Sequence, residues 1–316
     1  MENEIKEDIG KDIFEEDAGI EEQNYYGEGQ VKEGIVLPLG LALNDTELYQ
    51  LSAKKKINLI CIMGPAGSGK TTFMAMLYSM FLRQSNNNIL FSGSDTIAGF
   101  EELLNYIRVS SGKTNVELPR TPKDRKERYY HLKLYINSTK KKSNIILSDI
   151  PGETFNACKA NKDRLDSEVR CLALAKRIVI FIDGKAVLKN SEWNAAIMDT
   201  RQLIMTIRSS EQFRAGTNID VVISKNDEIV GINSNEKVKR RLMQIENNFQ
   251  QYYKDCKIRF FRIQALNDYQ HLDEGSTSLL DLLTFWVDES SNEQKEVKNQ
   301  YGELQVISQF NRFMER

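Results

Sequence analysis

A short stretch near residue 65 combines glycines with a lysine and two threonines. The letters GPAGSGKTT, residues 64–72, fit the pattern G-x-x-x-x-G-K-[ST]. Glycines let the backbone turn tightly, so that successive N–H groups can point inward at phosphate oxygens. The lysine can reach the β- and γ-phosphates, and the first threonine can offer its hydroxyl to Mg²⁺. The stretch therefore predicts a binding site for a nucleoside triphosphate. Its predicted nucleotide contacts are Gly64, Pro65, Ala66, Gly67, Ser68, Gly69, Lys70, Thr71 and Thr72.

The flanking sequence places this loop between two regular elements. The preceding letters INLICIM are continuously apolar and rich in β-branched residues, which is typical of a buried strand. The following letters TTFMAMLYSMFLRQ favour a helix. A strand before the loop and a helix after it is the arrangement that phosphate binding needs, because the helix adds its positive N-terminal end.

A second candidate motif, SDIPGE, follows another apolar run. Asp149 and Gly152 have D-x-x-G spacing. The carboxylate can hold a water molecule on Mg²⁺, and the glycine N–H can bind the γ-phosphate and move when it leaves. Glu153 could help to hold the attacking water, or could equally be a surface residue that leaves hydrolysis slow. A carboxylate near the γ-phosphate is repelled unless Mg²⁺ or a basic group offsets its charge.

Two further segments bear on the choice of base. Lys225 and Asp227 form K-x-D directly after the buried strand IDVVIS. A carboxylate at this position can accept hydrogen bonds from the N1–H and 2-amino groups of guanine, which adenine lacks. The lysine stem can lie over the base. A backbone N–H in the segment after the last strand can meet the guanine O6, and that segment is Gln264, Ala265 and Leu266.

The residue that closes over Mg²⁺ is expected in the segment before RYYHLKLYI. Thr121 is the candidate metal ligand, and Thr114 is the alternative. Arg120 lies beside Thr121 and could act in catalysis as an arginine finger in cis, although a solvated surface arginine is the simpler interpretation.

The order GPAGSGKT, DIPG, SKND and QAL resembles the translation-factor-related (TRAFAC) class of P-loop GTPases. More narrowly, FSGSDTIAGFEE, LPRTP and LSDIPGETF resemble the bacterial double-GTPase family, found in conflict and defence gene clusters. The resemblance implies a Ras-like fold, GTP or GDP with Mg²⁺, and often a second GTPase as partner. The chain departs from the family pattern at Ser224, where Asn or Thr is usual, and at Glu153, where many relatives have a glutamine that orients water.

Apolar strands that alternate with helices predict an α/β fold with a mostly parallel sheet, one antiparallel strand, and helices on both faces. We predict an acidic, partly disordered segment over residues 1–50, a GTPase domain over 51–290, and an amphipathic helix over 291–316. The apolar stripe of that last helix could dock on its own domain or on a partner helix.

Composition excludes several other classes. The formal net charge of -2 argues against nucleic acid as a direct ligand, because nucleic-acid-binding domains are usually strongly basic. No apolar run approaches the roughly 20 residues that span a membrane, and the acidic N-terminus does not resemble a signal peptide. The four cysteines lack CxxC spacing, which favours reduced thiols in a cytoplasmic protein.

The sequence as a whole predicts a GTP-binding switch with slow, Mg²⁺-dependent hydrolysis and a protein partner, either a second GTPase or an effector. The first alternative is a nucleotide-binding scaffold that hydrolyses little and stabilises a complex. The second is a P-loop ATPase or kinase, which the K-x-D motif disfavours.

Overall fold

The computed structural model describes residues 40–83, 88–111, 127–214, 216–230, 236–253, 258–266 and 277–287. All of them belong to one compact unit, Pro38–Arg316. Within these ranges seven strands form one sheet in the order β2-β3-β4-β1-β5-β6-β7. The strands are β1 (Ile57–Met63), β2 (Ile89–Gly93), β3 (Arg128–Ile136), β4 (Lys141–Asp149), β5 (Ala175–Asp183), β6 (Asn218–Ser224) and β7 (Ile258–Arg262).

The sheet is mostly parallel. Strand β3 pairs in antiparallel fashion with both β2 and β4, while the pairs from β4 through β1, β5 and β6 to β7 are all parallel. The carboxyl ends of these five parallel strands therefore lie at one edge of the sheet. The predicted α/β fold with one antiparallel strand is confirmed.

Helices cover both faces of the sheet. They are α1 (Asp45–Lys54), α2 (Lys70–Arg83), α3 (Ile97–Ser111), α4 (Gly152–Cys158), α5 (Lys162–Glu168), α6 (Asn190–Ser209), α7 (Asp227–Val230), α8 (Glu236–Tyr252) and α9 (residues 279–287). Two 3₁₀ helices, Arg170–Leu174 and Gly184–Leu188, flank β5. In the described ranges, no helix is both long and apolar enough to cross a membrane.

Strand β1 contributes to two hydrophobic cores, because its side chains alternate between the two faces of the sheet. Leu59, Cys61 and Met63 join the core under α4, α5, α6 and α8. Ile60 and Ile62 join the core under α2, α3 and α9. This burial on both faces explains why the strand is an unbroken apolar run in the sequence.

A buried carboxylate attaches α9 to the sheet. Asp220 accepts hydrogen bonds from Arg177 (2.6 Å), Arg259 (3.0 Å) and the indole N–H of Trp286 (2.8 Å). The two guanidinium groups balance its charge inside the protein. This network holds the last described helix against the second core.

Helix α1 was not predicted from the sequence. It begins after Asn44, whose side chain accepts from the Glu47 N–H while the Glu47 carboxylate accepts from the Asn44 N–H. This reciprocal cap compensates for a weak apolar pattern in the helix. The helix crosses the boundary predicted after residue 50. The helix predicted over 291–316 and most of the acidic segment lie outside the described residues, and the three-part division stays a prediction.

Candidate functional site

The glycine-rich loop leaves β1 and enters α2 at the edge where the parallel strands end. Gly64, Gly67 and Gly69 all have positive φ angles, of 154°, 76° and 86°. A side chain at Gly64 would also collide with β5, because its Cβ would lie 2.8 Å from the Phe181 carbonyl oxygen. Only glycine fits these backbone angles without strain, so the loop conformation depends on the spacing of the motif.

Lys70 is buried in the loop that precedes it. Its Nζ donates to the carbonyl oxygens of Gly64 (2.7 Å) and Pro65 (3.0 Å), and the residue is 6% exposed. Burial lowers the pKa of Lys70 to about 8, and the nearby carboxylates of Asp149 and Glu153 offset only part of that shift. A buried ammonium held at the loop in this way is suited to an anionic ligand with high charge density.

Thr71 and Asp149 converge at the mouth of the loop. The Thr71 hydroxyl lies 3.3 Å and 3.4 Å from the two carboxylate oxygens of Asp149. Burial raises the pKa of Asp149, while Lys70 and the Thr71 hydroxyl act in the opposite direction.

This pair of oxygen donors fits Mg²⁺, which prefers oxygen ligands. The described part of the chain contains no cluster of three or more His, Cys, Asp or Glu side chains that could hold a metal. Two oxygen groups from the protein suit an ion whose other ligands are phosphate oxygens and water, as Mg²⁺ has in nucleotide sites.

Gly152 and Glu153 begin α4 directly beside the phosphate loop. A Cβ at Gly152 would lie only 2.2 Å from the backbone nitrogen of Ala66, so the two backbones are in direct contact. Glu153 is half-buried and close enough to Lys70 to raise the pKa of its ammonium. The structure thus brings the D-x-x-G segment and the phosphate loop together.

The loop after β6 lies next to the phosphate loop. A Cβ at Gly69 would be 3.6 Å from the Cβ and Oγ of Ser224, and the Ser224 hydroxyl donates to the Ile182 carbonyl at 3.2 Å. Lys225 has a positive φ of 52°, and its Nζ lies 2.7 Å from a carboxylate oxygen of Asp183 at the end of β5. Sequence reasoning missed Asp183. Its position at the end of the apolar run RIVIFID was the one available indication.

The loops after β6 and β7 are joined by their backbones. The Asn226 N–H donates to the Ile263 carbonyl at 3.0 Å. Asp227 is half-buried and begins α7. Gln264 is buried, whereas Ala265 is half-buried and Leu266 is exposed. The predicted base-binding residues therefore come from adjacent strand ends at the phosphate-loop edge.

Three predicted switch residues lie outside the described residues. They are Thr121, its alternative Thr114, and Arg120. Their roles stay predictions.

A glycine-rich phosphate loop between β1 and α2, with a threonine–aspartate pair at its mouth, defines a P-loop protein with a Ras-like GTPase fold. Residues 58–287, more than half of the chain, match the model of the Double-GTPase 2 family. The chain belongs to this family, and the resemblance predicted from its motifs is confirmed.

Solved structures share low sequence identity with the chain. The signal recognition particle receptor SRb–GTP/SRX complex from Chaetomium thermophilum matches at 11% identity and a TM-score of 0.41, covering 73% of this chain and 96% of that one. The S. cerevisiae Ski7 GTPase-like domain bound to GDP and inorganic phosphate matches at 15% identity and a TM-score of 0.46, over 78% of this chain and 53% of that one. The same domain bound to GTP matches at 14% identity and a TM-score of 0.44, covering 78% of this chain and 52% of that one. This chain therefore spans about half of the Ski7 chains. No curated protein sequence matches.

Proposed function

We propose that the chain is a GTP-binding switch that hydrolyses GTP slowly with Mg²⁺. The observation that carries this proposal is the approach of the Thr71 hydroxyl to the Asp149 carboxylate at 3.3 Å, beside the buried Lys70. These three side chains supply a cation for the phosphates and two oxygen groups for a metal ion, at the head of a helix.

Each group has a separate task in phosphate binding. The Lys70 ammonium and the loop N–H groups bind phosphate oxygens, while Thr71 and Asp149 hold Mg²⁺ directly or through water. A Mg²⁺ ion held by these two side chains would supply positive charge beside the phosphates. The Gly152 N–H binds the γ-phosphate, and its release after hydrolysis frees the segment that begins α4. Thr121 as a metal ligand and Arg120 as a catalytic group belong to the same proposal.

Guanine is selected at the loops after β6 and β7. The Asp227 carboxylate accepts from the guanine N1–H and 2-amino groups, and the Lys225 stem covers the base. The ion pair of Lys225 with Asp183 supports this role, because it limits the directions that the lysine can take. A backbone N–H of residues 264–266 meets the guanine O6.

The substitution Asp227→Asn tests base selection. It should weaken GTP binding by about tenfold or more, because it removes the acceptor of two hydrogen bonds. Xanthosine triphosphate should then bind better than GTP, because xanthine has a carbonyl where guanine has its 2-amino group and the asparagine amide can donate to it. Asp163→Asn is the matched control, because Asp163 is exposed in the first turn of α5. This substitution should change the affinity for neither GTP nor xanthosine triphosphate. The measurement is titration with fluorescent nucleotide analogues, and equal affinity of the unsubstituted chain for ATP and GTP would contradict the proposal.

A scaffold that binds GTP with little hydrolysis is the second candidate. The half-buried Glu153 favours it, because its carboxylate stands near Lys70 where many relatives have glutamine. Glu153→Gln should then raise single-turnover phosphate release by about tenfold or more, since water orientation contributes on that scale. Glu211→Gln, at an exposed position, is the control. If Glu153→Gln instead lowers the rate, Glu153 takes part in hydrolysis and the switch is favoured.

We also propose a cytoplasmic location and a protein partner, either a second GTPase or an effector, in a bacterial defence system. Membership of the Double-GTPase 2 family supports this proposal. Purification of the chain from its native cells, with mass spectrometry of the proteins and nucleotides that accompany it, tests it. The Lys70→Ala variant should lose the nucleotide and with it any partner that binds only the GTP-bound form.

A further inference from the structure

A groove of about 820 Å³ lies between α6 and α8, apart from the phosphate-loop site. This volume falls within the range of about 300–1,000 Å³ that is usual for ligand sites. The side chains of Trp193 and Ile245 form its buried floor. No residue proposed above for nucleotide or metal binding is among the described residues that line it.

A buried arginine links the two walls of the groove. Arg241 donates to the Val187 carbonyl and to the side-chain oxygen of Asn190, and the residue is only 9% exposed. These bonds fix α8 to the 3₁₀ helix before α6 and to the first residue of α6. The two walls therefore keep their separation through specific polar contacts, and a ligand would find the site preformed.

The groove is positively charged. Among the described residues that line it, Lys237, Arg240 and Arg241 are cationic and none is acidic. Two carboxylates on α6 pair with lysines: Glu192 lies 2.8 Å from the Nζ of Lys189, and Asp199 lies 2.7 Å from that of Lys159. In a chain with a net charge of -2, this local excess of cations favours an anionic ligand.

The rim of the groove is apolar as well as basic. Met198 lines it and is 54% exposed, and the half-buried Ile197 lines it beside Met198. Methionine side chains are flexible and polarisable, so they adapt to varied apolar partners. A ligand that matches this surface carries both negative charges and large apolar groups.

We propose that the groove between α6 and α8 binds an acidic peptide segment of a protein partner, with a large apolar side chain of the peptide against Met198 and Ile197. The amide side chains of Asn194, Gln244 and Asn248 line the groove and can pair with peptide backbone groups. A nucleic acid fits less well, because three cations in a chain with a pI of about 6.0 are few for a phosphate backbone. This proposal is independent of GTP binding, so it is tested without nucleotide.

The probe is a fluorescein-labelled peptide of about 16 residues, in which Asp and Glu alternate with Leu and Phe pairs at helical spacing. Its binding to the full chain is measured by fluorescence anisotropy. Arg240→Glu should weaken binding by about tenfold or more, and Arg240→Gln by about threefold. Lys239→Glu is the matched control, because Lys239 is also exposed on α8 but does not line the groove. A peptide with Gln in place of every acid should bind about tenfold more weakly than the acidic probe.

Four results would overturn the proposal. The probe could fail to bind, or Lys239→Glu could weaken it as much as Arg240→Glu does. A labelled single-stranded oligonucleotide could bind more tightly than the peptide and depend on Arg240, which would assign the groove to nucleic acid. Finally, the probe could bind only after the twelve acidic residues of positions 1–35 are neutralised. The groove would then bind this acidic segment of the chain itself and not a partner.

Discussion

One added methyl group at Gly152 should disturb both stability and catalysis. A Cβ at this position would lie 2.2 Å from the backbone nitrogen of Ala66, 2.5 Å from its Cα, and 2.8 Å from the carbonyl carbon of Pro65. Ordinary contacts begin near 3.4 Å, and all three atoms are backbone that cannot rotate away. In Gly152→Ala, the start of α4 or the phosphate loop must therefore move by about 1 Å.

That movement affects the core. Helix α4 buries Phe155 and Cys158 almost completely, so a shift of its first residue loosens their packing. Overpacking of this kind costs about 1–3 kcal/mol. The folded-to-unfolded ratio should fall by roughly 5- to 150-fold. If the Gly152 N–H binds the γ-phosphate as proposed, single-turnover hydrolysis should also slow by about tenfold or more.

Gly99→Ala separates these two effects. A Cβ at Gly99 would lie 2.7 Å from the backbone nitrogen of Ala42, a similar overlap in α3 that does not touch the phosphate loop. Both variants should lower the free energy of unfolding in urea, but only Gly152→Ala should slow phosphate release. The reasoning is refuted if Gly152→Ala unfolds within about 0.5 kcal/mol of the unsubstituted chain and releases phosphate at the same rate.

Three further predictions concern buried charges. Because the pKa of Lys70 is about 8, nucleotide affinity should fall as the pH rises above that value, by up to about tenfold per pH unit. Titration at several pH values measures this, and Lys70→Arg should remove the dependence, because a guanidinium stays charged. Burial raises the pKa of Glu127 from 4.5 to about 7. The contribution of this group to the free energy of unfolding should therefore be highest below about pH 4.5 and decline as the pH rises through 7, by up to about 3 kcal/mol in total. Between about pH 6 and about pH 8, thermal unfolding should show the last part of this decline, about 1 kcal/mol, for the unsubstituted chain and much less of it for Glu127→Gln. Asp220→Asn removes the carboxylate shared by Arg177 and Arg259. It should lower the free energy of unfolding, measured in urea, by about 3–5 kcal/mol. A decrease below about 1 kcal/mol would contradict the role given to the network.

The elements that the sequence predicted best are those with strong local patterns. The apolar runs at Ile57–Met63, Ala175–Asp183 and Asn218–Ser224 are all central strands, because burial on both faces requires continuous hydrophobicity. The glycine spacing of the phosphate loop is equally local, since each positive φ is a property of one residue.

Long-range contacts were not accessible in the same way. Neither the ion pair of Lys225 with Asp183 nor the contact of Gly152 with Ala66 leaves a local pattern, because the partners are far apart in the chain. The short helix α4 was missed because its seven residues begin with Gly152 and have no side-chain cap, so neither length nor capping marks it. The contacts around the proposed switch could therefore be identified only from the three-dimensional structure.

Ser224 stands where the motif was expected to have Asn or Thr, and its contacts illustrate how the fold can compensate for such a change. The serine hydroxyl donates to a β5 carbonyl, the next side chain, Lys225, pairs with Asp183 at the end of β5, and the Asn226 N–H donates to the carbonyl of the residue that follows β7. Three consecutive residues thus attach the loop to the strands on both sides of β6. These attachments restrain the backbone that leads to Asp227, so we expect that an asparagine at residue 224 is not required to hold it. On this argument Ser224→Asn should change guanine affinity little, whereas Asp183→Ala should weaken it by releasing Lys225.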